Sequence, residues 1–254
     1  MDKSTISYRN RTNTVFAVFI SILIILLVLV LTTKSPEERV VLLSFDVEPV
    51  DGSESVLEVL EIVYRNNVSA TFFVTGEYAE QYPEVVELMT GREIGNHGYS
   101  HKAFTKMDRD EKISELRKTN LLLENITGQE VLGFRAPYNR IDKETMVVLE
   151  EEGFLYDSSI ISGWGIFYPG VGDMLIGEIP VSSVLGFPLE DVVFLHYLRM
   201  PGLYFYILEN KKSGFESYLF HPHHISKYKN EFEEFINHLK KENTIFISHR
   251  ELIE

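Results

Sequence analysis

Short apolar runs alternate with amphipathic segments between residues 39 and 254, and this alternation restricts the fold more than any other feature of the sequence. The run from Val40 to Phe45 is almost wholly apolar, which is typical of a strand buried on both faces. The following segment, 53–66, has its apolar residues at helical spacing. About seven such strand–helix units predict a parallel sheet that is either closed into a barrel or covered by helices on both faces.

The other elements follow in the same alternating order. The sequence predicts strands at 70–74, near Ile94, and at 131–134, 154–156, 179–181, 217–220 and 244–247. It predicts helices at 82–89, 107–124, 143–152, 197–210 and 231–241. No glycine-rich phosphate loop follows the first strand, which argues against a nucleotide-binding sheet. An α/β fold in which about seven parallel strands form a (β/α) barrel is therefore preferred.

An uncharged segment precedes this region. Residues 12–33 carry no charge, and 22 helical residues at about 1.5 Å each span about 33 Å, enough to cross a hydrocarbon core. A cleaved signal peptide is the alternative, but its apolar region is usually shorter and ends in a small-residue site, which the residues after Leu31 do not provide. We predict a short cytoplasmic tail at 1–13, a transmembrane anchor at 14–33 and a linker at 34–38.

Basic residues set the expected orientation of this anchor. Lys3, Arg9 and Arg11 precede the span, whereas Lys34 and Arg39 follow it. Because basic residues favour the cytoplasmic side of a membrane, we expect a single-pass protein with a cytoplasmic N-terminus. Residues 35–254 then lie outside the membrane, with the domain at 39–254 extracellular.

The composition restricts the chemistry. The chain has no cysteine, 38 acidic and 24 basic residues, and a formal net charge of −14. A disulfide, a thiolate zinc site and a cysteine nucleophile are thereby excluded. The acidic balance argues against a nucleic-acid partner, which would require a basic face. Any metal ion must be held by histidine and carboxylate side chains.

Polar side chains cluster where the predicted strands end. They are Asp46 and Glu48 after the first strand, His97 and His101 after the third, Arg135 and Tyr138 after the fourth, Asp157 after the fifth, and His221 with His223 and His224 after a late strand. Taken singly, a strand-end Asp is often a helix cap and a lone His is often structural. The carboxyl ends of parallel strands meet at one end of a barrel, so we expect these clusters to meet.

Such a set of side chains suits metal-assisted hydrolysis. Two imidazoles and a carboxylate can hold a divalent ion and leave positions open for water and substrate. The ion can lower the pKa of its bound water toward about 7 and polarise a carbonyl group. A second carboxylate can then act as general base, and another histidine can protonate a leaving group.

Five ordered motifs resemble those of the polysaccharide deacetylases, the NodB-homology family or carbohydrate esterase family 4. They are Ser-Phe-Asp-Val-Glu at 44–48, His-Gly-Tyr-Ser-His at 97–101, Arg-Ala-Pro-Tyr at 135–138, Tyr-Asp-Ser-Ser at 156–159 and Phe-His-Pro at 220–222. The resemblance covers residues 39–254. It implies a distorted (β/α) barrel, a divalent metal ion that is commonly zinc, and removal of N-acetyl, less often O-acetyl, groups from a carbohydrate polymer.

The resemblance also implies metal ligands and a base. Asp46 matches the catalytic base, and His97 and His101 match the two imidazole ligands. The third ligand is usually an Asp directly after the base, where this chain has Val47, so Glu48 is the expected ligand. Alternate residues of a strand point to the same face, so Asp46 and Glu48 can point the same way. If Glu48 does not reach the ion, Asp46 is the ligand instead.

The remaining motifs supply the other expected roles. Arg135 matches the arginine that pairs with Asp46, and an adjacent cation lowers the pKa of a carboxylate. Tyr138 matches the residue whose backbone N–H stabilises the oxyanion. His221 matches the general acid, and Asp157 resembles the residue that orients it.

Departures from the family pattern leave alternatives open. His223 and His224 are extra histidines that could replace His221 as the acid or line the groove. The family's tryptophan near the fourth motif is displaced here to Trp164. Together with Val47, this displacement motivates a second function, a catalytically inactive carbohydrate-binding protein. A third function, an amidase for a non-sugar carbon–nitrogen bond, fits poorly with a membrane anchor.

Overall fold

The structure is a computed structural model that describes Ser21 and residues 38–163, 176–184, 187–211 and 214–254. Apart from Ser21, the predicted anchor at 14–33 lies outside these ranges, as do the predicted tail and nearly all of the linker. Within them, no helix is both long enough and apolar enough to cross a membrane.

Eight strands form one parallel sheet, which confirms the predicted α/β fold with a parallel sheet. They are β1 (Arg39–Val47), β2 (Thr71–Val74), β3 (Glu93–Asn96), β4 (Gly133–Phe134), β5 (Tyr156–Asp157), β6 (Gly177–Glu178), β9 (Phe215–Phe220) and β10 (Thr244–Phe246). A separate antiparallel pair consists of β7 (Ser183–Val184) and β8 (Phe187–Pro188). The order in the parallel sheet is β10-β1-β2-β3-β4-β5-β6, with β9 also paired to β1.

The sheet curves into an incomplete barrel. β6 and β9 do not pair as strands in the described part of the chain. The gap is bridged just beyond β6, where the Ser182 N–H donates to the Ser217 carbonyl at 2.8 Å. The Ser182 hydroxyl accepts the Ser217 N–H at 3.0 Å. Two hydrogen bonds thus take the place of a strand ladder at this seam.

Strand β1 pairs with three other strands. Its residues 40–45 pair with β9, residues 39–41 with β10 and residues 44–47 with β2. Since β9 overlaps both of the other partners along the chain, it occupies one edge of β1, while β10 and β2 share the opposite edge. β1 is therefore central to the sheet and almost wholly buried.

Nine α-helices of the described chain surround the sheet. They are α1 (Gly52–Asn66), α2 (Gly76–Gln81), α3 (Pro83–Glu87), α4 (Arg109–Thr127), α5 (Lys143–Glu151), α6 (Pro201–Asn210), α7 (Pro222–Ile225), α8 (Lys229–Lys241) and α9 (His249–Ile253). The helix predicted at 197–210 begins only at Pro201, after a separate π-helix at Val192–Tyr197. Proline lacks an N–H and has a fixed φ, so it suits the first turn of a new helix.

The core lies between the sheet and its helices. Phe45 of β1 stacks on Phe72 of β2 with ring centroids 5.1 Å apart, and it meets Phe220 of β9 at 5.7 Å. All three rings are fully buried, and each burial stabilises the fold by about 1.5–3 kcal/mol. Strands β1 and β9 are therefore held together by aromatic packing close to the ends that carry Asp46 and His221.

Candidate active site

The carboxyl ends of β1, β3, β4 and β9 bring most of the predicted site residues together. A cavity of about 440 Å³ opens there, and its lining includes Asp46, Glu48, His101, Tyr138 and His221. These predicted site residues therefore lie together at one end of the sheet.

Glu48, His97 and His101 form a compact cluster of potential metal ligands. Glu48 Oε1 lies 2.9 Å from His101 Nε2 and 3.7 Å from His97 Nε2. Burial raises the pKa of Glu48, but the imidazoles of His101 and His97 beside it outweigh burial and hold that pKa well below its usual range. Glu48 is thus an anion that faces two imidazole nitrogens.

The chemistry of this cluster fits a divalent ion. His97 Nδ1 lies 2.8 Å from the Arg135 carbonyl, which can only accept, so Nδ1 carries the proton and Nε2 is directed at Glu48. The Nε2 atoms of His97 and His101 are buried, and neither makes a hydrogen bond of good geometry within the described chain. Imidazoles oriented through Nδ1 by a backbone carbonyl are typical of metal ligands. Residues Glu48, His97 and His101 therefore fit the predicted ion.

The loop 97–101 is shaped by contacts behind it. The Asn96 side-chain oxygen accepts the Gly98 N–H at 2.7 Å, and Gly98 has a φ of +71°. A side chain there would also meet the Phe104 ring, since an added Cβ would lie 2.9 Å from it. Glu115 of α4 accepts the backbone N–H groups of Tyr99 and Ser100 at 2.7 and 2.8 Å. The loop is therefore held in place before any ligand binds.

Asp46 lies beside the cluster and is held by Arg135. Its Oδ1 accepts from Arg135 Nη1 at 2.8 Å, and its Oδ2 is 3.7 Å from His97 Nε2. The fully buried guanidinium also donates to Ser44 Oγ and to Ser158 Oγ and carbonyl oxygen, at 2.8 to 2.9 Å. A guanidinium held by four hydrogen bonds leaves Asp46 little freedom to turn.

Tyr138 lies in a tight turn at the cavity mouth. Its φ is +60°, and Asn139 follows with +54°. The hydrogen bonds of this turn use the amides of Asn139 and Arg140, which donate to the carbonyls of Ala136 and Pro137. The Tyr138 ring lies over His101 with centroids 4.6 Å apart. The turn therefore places the Tyr138 ring against a potential metal ligand.

His221 lies across the cavity, and Asp191 holds it. His221 Nδ1 is 2.8 Å from Asp191 Oδ1, and the His221 N–H donates to Oδ2 at 2.6 Å. Its Nε2 lies 3.9 Å from Glu48 Oε1. Burial lowers the pKa of His221, but the Asp191 carboxylate outweighs burial and raises that pKa to about 10. His221 is therefore a cation at neutral pH.

The expectation that Asp157 orients His221 does not match this geometry. Asp157 is fully buried, and its carboxylate accepts from the Ser159 hydroxyl at 2.6 Å and the Ser159 N–H at 3.0 Å. The Glu178 carboxyl group on the adjacent strand β6 interacts with it electrostatically. Burial raises the pKa of both carboxyl groups. Asp157 therefore belongs to a buried acid pair, because the position beside His221 is taken by Asp191.

The two extra histidines have their own carboxylate neighbours. His223 Nδ1 lies 2.6 Å from Asp51 Oδ1, and His224 Nδ1 lies 3.4 Å from Asp191 Oδ2. Of the three neighbouring histidines, His221 is the one whose ring nitrogen lies within 4 Å of a Glu48 carboxylate oxygen. This placement favours His221 over both of its neighbours as the proton donor.

Three residues of the cavity region, Asp191, Glu190 and Asn139, were not predicted from the sequence. Glu190 lies in the cavity wall, where burial raises its pKa and its Oε1 accepts from Asn139 Nδ2 at 3.1 Å. No family motif covers these positions, and the only available signal was a Glu-Asp pair directly before an apolar run. Trp164 lies outside the described residues.

Comparison with known proteins supports the resemblance. A sequence model of the polysaccharide deacetylase family matches residues 33–156. A peptidoglycan-N-acetylglucosamine deacetylase from Bacillus cereus is 34% identical over 117 residues, 45% of this chain and 42% of the relative. The chain spans less than half the length of the curated relatives that head this comparison. The motifs at 44–48, 97–101 and 135–138 lie within the residues that are similar to polysaccharide deacetylases.

Solved structures agree on the fold. The peptidoglycan deacetylase PdaC from Bacillus subtilis superposes with a TM-score of 0.62 at 20% identity, covering 86% of this chain and 92% of PdaC. A pseudoenzyme of carbohydrate esterase family 4 from Bacillus anthracis gives a TM-score of 0.66 at 21% identity, covering 86% of this chain and 66% of that one. The described domain therefore has the fold found in both.

Proposed function

From the similarity of residues 33–156 to polysaccharide deacetylases, we propose that this protein hydrolyses N-acetyl groups of a carbohydrate polymer. The observation that carries this proposal is that a possible general base, Asp46, and a possible general acid, His221, both lie within 4 Å of the cluster of potential metal ligands. Asp46 Oδ2 is 3.7 Å from His97 Nε2, and His221 Nε2 is 3.9 Å from Glu48 Oε1. A general base and a general acid that flank a polarised carbonyl are what amide hydrolysis needs.

Glu48, His97 and His101 would hold a divalent ion, in our proposal zinc, that polarises the acetyl carbonyl and acidifies water. Asp46 accepts the proton of the attacking water. Its Oδ2 is free for this task, because Oδ1 is bonded to Arg135. The Tyr138 N–H donates a hydrogen bond to the oxygen that becomes negative.

His221 completes the reaction by donating the proton on Nε2 to the departing nitrogen, which leaves acetate and a free amino group. Asp191 keeps the ring oriented and positively charged during this step. An amine must be protonated to leave, whereas an alkoxide can leave more readily. The charged His221 therefore favours N-acetyl over O-acetyl substrates.

We propose a cell-surface glycan as the polymer. The relative from Bacillus cereus is named as a peptidoglycan-N-acetylglucosamine deacetylase, which supports an N-acetylated wall polymer here. Tyr138 and Tyr197 line the cavity and are 62% and 73% exposed, so their rings are available to pack on a sugar. The uncharged segment 12–33 supports anchoring of the protein in the membrane with the domain outside.

Acetate release by the full-length protein in detergent micelles tests this proposal. N-acetylglucosamine oligomers and peptidoglycan are offered, with acetylated xylan as the ester control and a cyclic ureide as the non-sugar amide. We expect release from the N-acetylated glycans that stops after chelation and returns with zinc or cobalt, while Asp46→Asn stays inactive throughout. Preferential turnover of the ureide would contradict the glycan assignment. Metal retention without release from any substrate would instead favour the inactive carbohydrate-binding protein.

A further inference from the structure

A fully buried histidine lies at the end of the sheet opposite the cavity. His249 is the first residue of α9, and its ring contacts Thr71, the residue that begins β2. The proposed reaction gives this ring no task. Building on the proposed function, we propose that His249 is a positioning residue that holds Arg135, and through Arg135 the base Asp46, from below the active site.

A polar route leads from His249 to the base. His249 Nε2 lies 3.3 Å from Ser158 Oγ, and that hydroxyl accepts from Arg135 Nη2 at 2.8 Å. The Ser158 carbonyl accepts from Arg135 Nε at 2.9 Å, and Arg135 Nη1 reaches Asp46 at 2.8 Å. Ser158 is therefore the residue shared by the ring below and the guanidinium above.

An aromatic route runs beside the polar one. The His249 ring meets Phe73 edge to face, with centroids 5.4 Å apart at 88°, and stacks on Tyr156 at 5.7 Å and 22°. The guanidinium carbon of Arg135 lies 4.2 Å from the Phe73 ring centroid. Removal of the histidine ring would free one edge of Phe73, the ring on which Arg135 rests.

The hydrogen-bond partners determine which nitrogen of His249 carries the proton. The Thr71 hydroxyl donates its one proton to Glu93 Oε2 at 2.7 Å, so it must accept from His249 Nδ1 at 3.0 Å. His249 Nε2 is therefore the unprotonated nitrogen, and it can accept a hydrogen bond from the Ser217 hydroxyl, 3.4 Å away. The Ser158 hydroxyl donates its one proton to the Ile179 carbonyl at 2.7 Å, so the His249 ring packs against Ser158 Oγ at 3.3 Å without a hydrogen bond. Burial and the nearby Arg135 lower the pKa of His249 well below its usual range. A neutral ring adds no repulsion to the guanidinium.

Three substitutions separate the two routes. His249→Ala removes both, His249→Phe keeps a ring against Phe73 and Tyr156, and His249→Gln keeps a polar group toward Ser158. Small displacements of a catalytic group can lower a reaction rate by up to about 100-fold. We therefore expect His249→Ala to lower kcat, measured per folded molecule, by about tenfold to 100-fold and to leave KM unchanged. His249→Phe and His249→Gln should each restore part of that loss. Leu252→Ala, at an exposed position of the same helix, should leave kcat unchanged.

A second readout does not depend on activity. The Arg135 Nε–H is buried and bonded to the Ser158 carbonyl, so NMR should show that it exchanges slowly with solvent. We expect this exchange to accelerate by at least about tenfold in His249→Ala, below the temperature at which the variant unfolds. If wild-type protein releases no acetate, the proposed function fails while the exchange measurement still decides the positioning role.

The opposite results would overturn the inference. A purely structural role predicts a lower melting temperature with unchanged kcat per folded molecule and unchanged exchange of the Arg135 Nε–H. If His249→Ala does not fold, His249→Phe and Ser217→Ala, which keep the ring volume, decide the question. Wild-type values of kcat and exchange in both of these variants would exclude the polar route.

Discussion

Asp191 contacts His221 through both of its carboxylate oxygens, with Oδ1 2.8 Å from Nδ1 and Oδ2 2.6 Å from the backbone nitrogen. A carboxylate only accepts hydrogen bonds, so His221 Nδ1 carries a proton and the ring cannot turn over without losing this bond. In the cation, the second ring proton is on Nε2, the atom that faces Glu48. One residue outside every recognised motif therefore sets both the charge and the direction of the proposed acid.

Asp191→Asn should lower kcat by about 100-fold, since general acid catalysis is typically worth about 10²–10⁴. Because the carboxylate raises the pKa of His221 to about 10, the acid is protonated below that pH in wild type. Loss of the carboxylate should move the basic limb of the rate profile to lower pH. The matched control is Asp157→Asn, which should leave that limb in place. A shift only in Asp157→Asn would reinstate Asp157 as the residue that orients His221.

Metal content should separate the roles of the two carboxylates after β1. Loss of an outer-shell partner of a ligand costs about 10–100-fold in metal affinity, so loss of a ligand should cost at least as much. Glu48→Gln should therefore lose zinc on dialysis, whereas Asp46→Asn should retain it and lose activity. Zinc per protein can be measured by atomic emission, with circular dichroism to verify folding. Zinc loss in Asp46→Asn alone would make Asp46 the ligand.

Two glycine substitutions should change stability in opposite directions. A Cβ on Gly133 would lie 2.1 Å from the Tyr156 ring, whose hydroxyl donates to Glu93 at 2.6 Å. Gly133→Ala should therefore destabilise the fold by about 1–3 kcal/mol. Gly202 lies in α6 with no atom near its would-be Cβ, so Gly202→Ala should stabilise by about 0.5–1 kcal/mol. Denaturant titration measures the free energy of unfolding of each variant. If both substitutions changed it by the same amount and in the same direction, the close packing at Gly133 would be contradicted.

The acid pair predicts a pH dependence of stability. Burial raises the pKa of Asp157 and Glu178 in the folded state, so the folded protein binds more protons than the unfolded chain above about pH 4. Stability is therefore lost as pH rises through the folded-state pKa values. Glu178→Gln keeps an oxygen that can accept the Ile160 N–H, and it gains a donor for Asp157.

Glu178→Gln should consequently unfold with a higher free energy than wild type at pH 8, and this advantage should shrink as pH falls toward 4. Urea titrations at several pH values measure the difference. The exposed control Glu87→Gln should track wild type at every pH. The difference in free energy of unfolding between Glu178→Gln and wild type could instead be the same at every pH. That result would mean that the Asp157 and Glu178 carboxyl groups are not protonated in the folded state.

Long periodic patterns made most of the fold predictable. The buried strand β1 and the amphipathic helix α1 follow directly from apolar spacing, and both were predicted within a few residues. The strands β4, β5 and β6 have only two residues each, so tertiary hydrogen bonds rather than a local pattern decide where they lie. The predicted strand at 179–181 accordingly lies at 177–178 in the structure.

The site was predictable where residues lie next to strand ends. Asp46, His97 and Arg135 each end or directly follow a strand, and the shared polarity of parallel strands brings them together. Asp191 instead precedes a π-helix beyond the β7–β8 pair, and its approach to His221 depends on a long connection with no regular period. A partner set by such a connection cannot be found from local sequence patterns.

The central place of β1 also governs when the active centre can exist. During synthesis β2 is available soon after β1, but β9 and β10 come from residues 215–246. Contacts so distant along the chain form late. A nascent chain that lacks β9 has Asp46, Glu48 and His97, yet it has neither the neighbouring strand nor His221. The proposed active centre therefore cannot assemble until residues 215–221 have been made and have paired with β1.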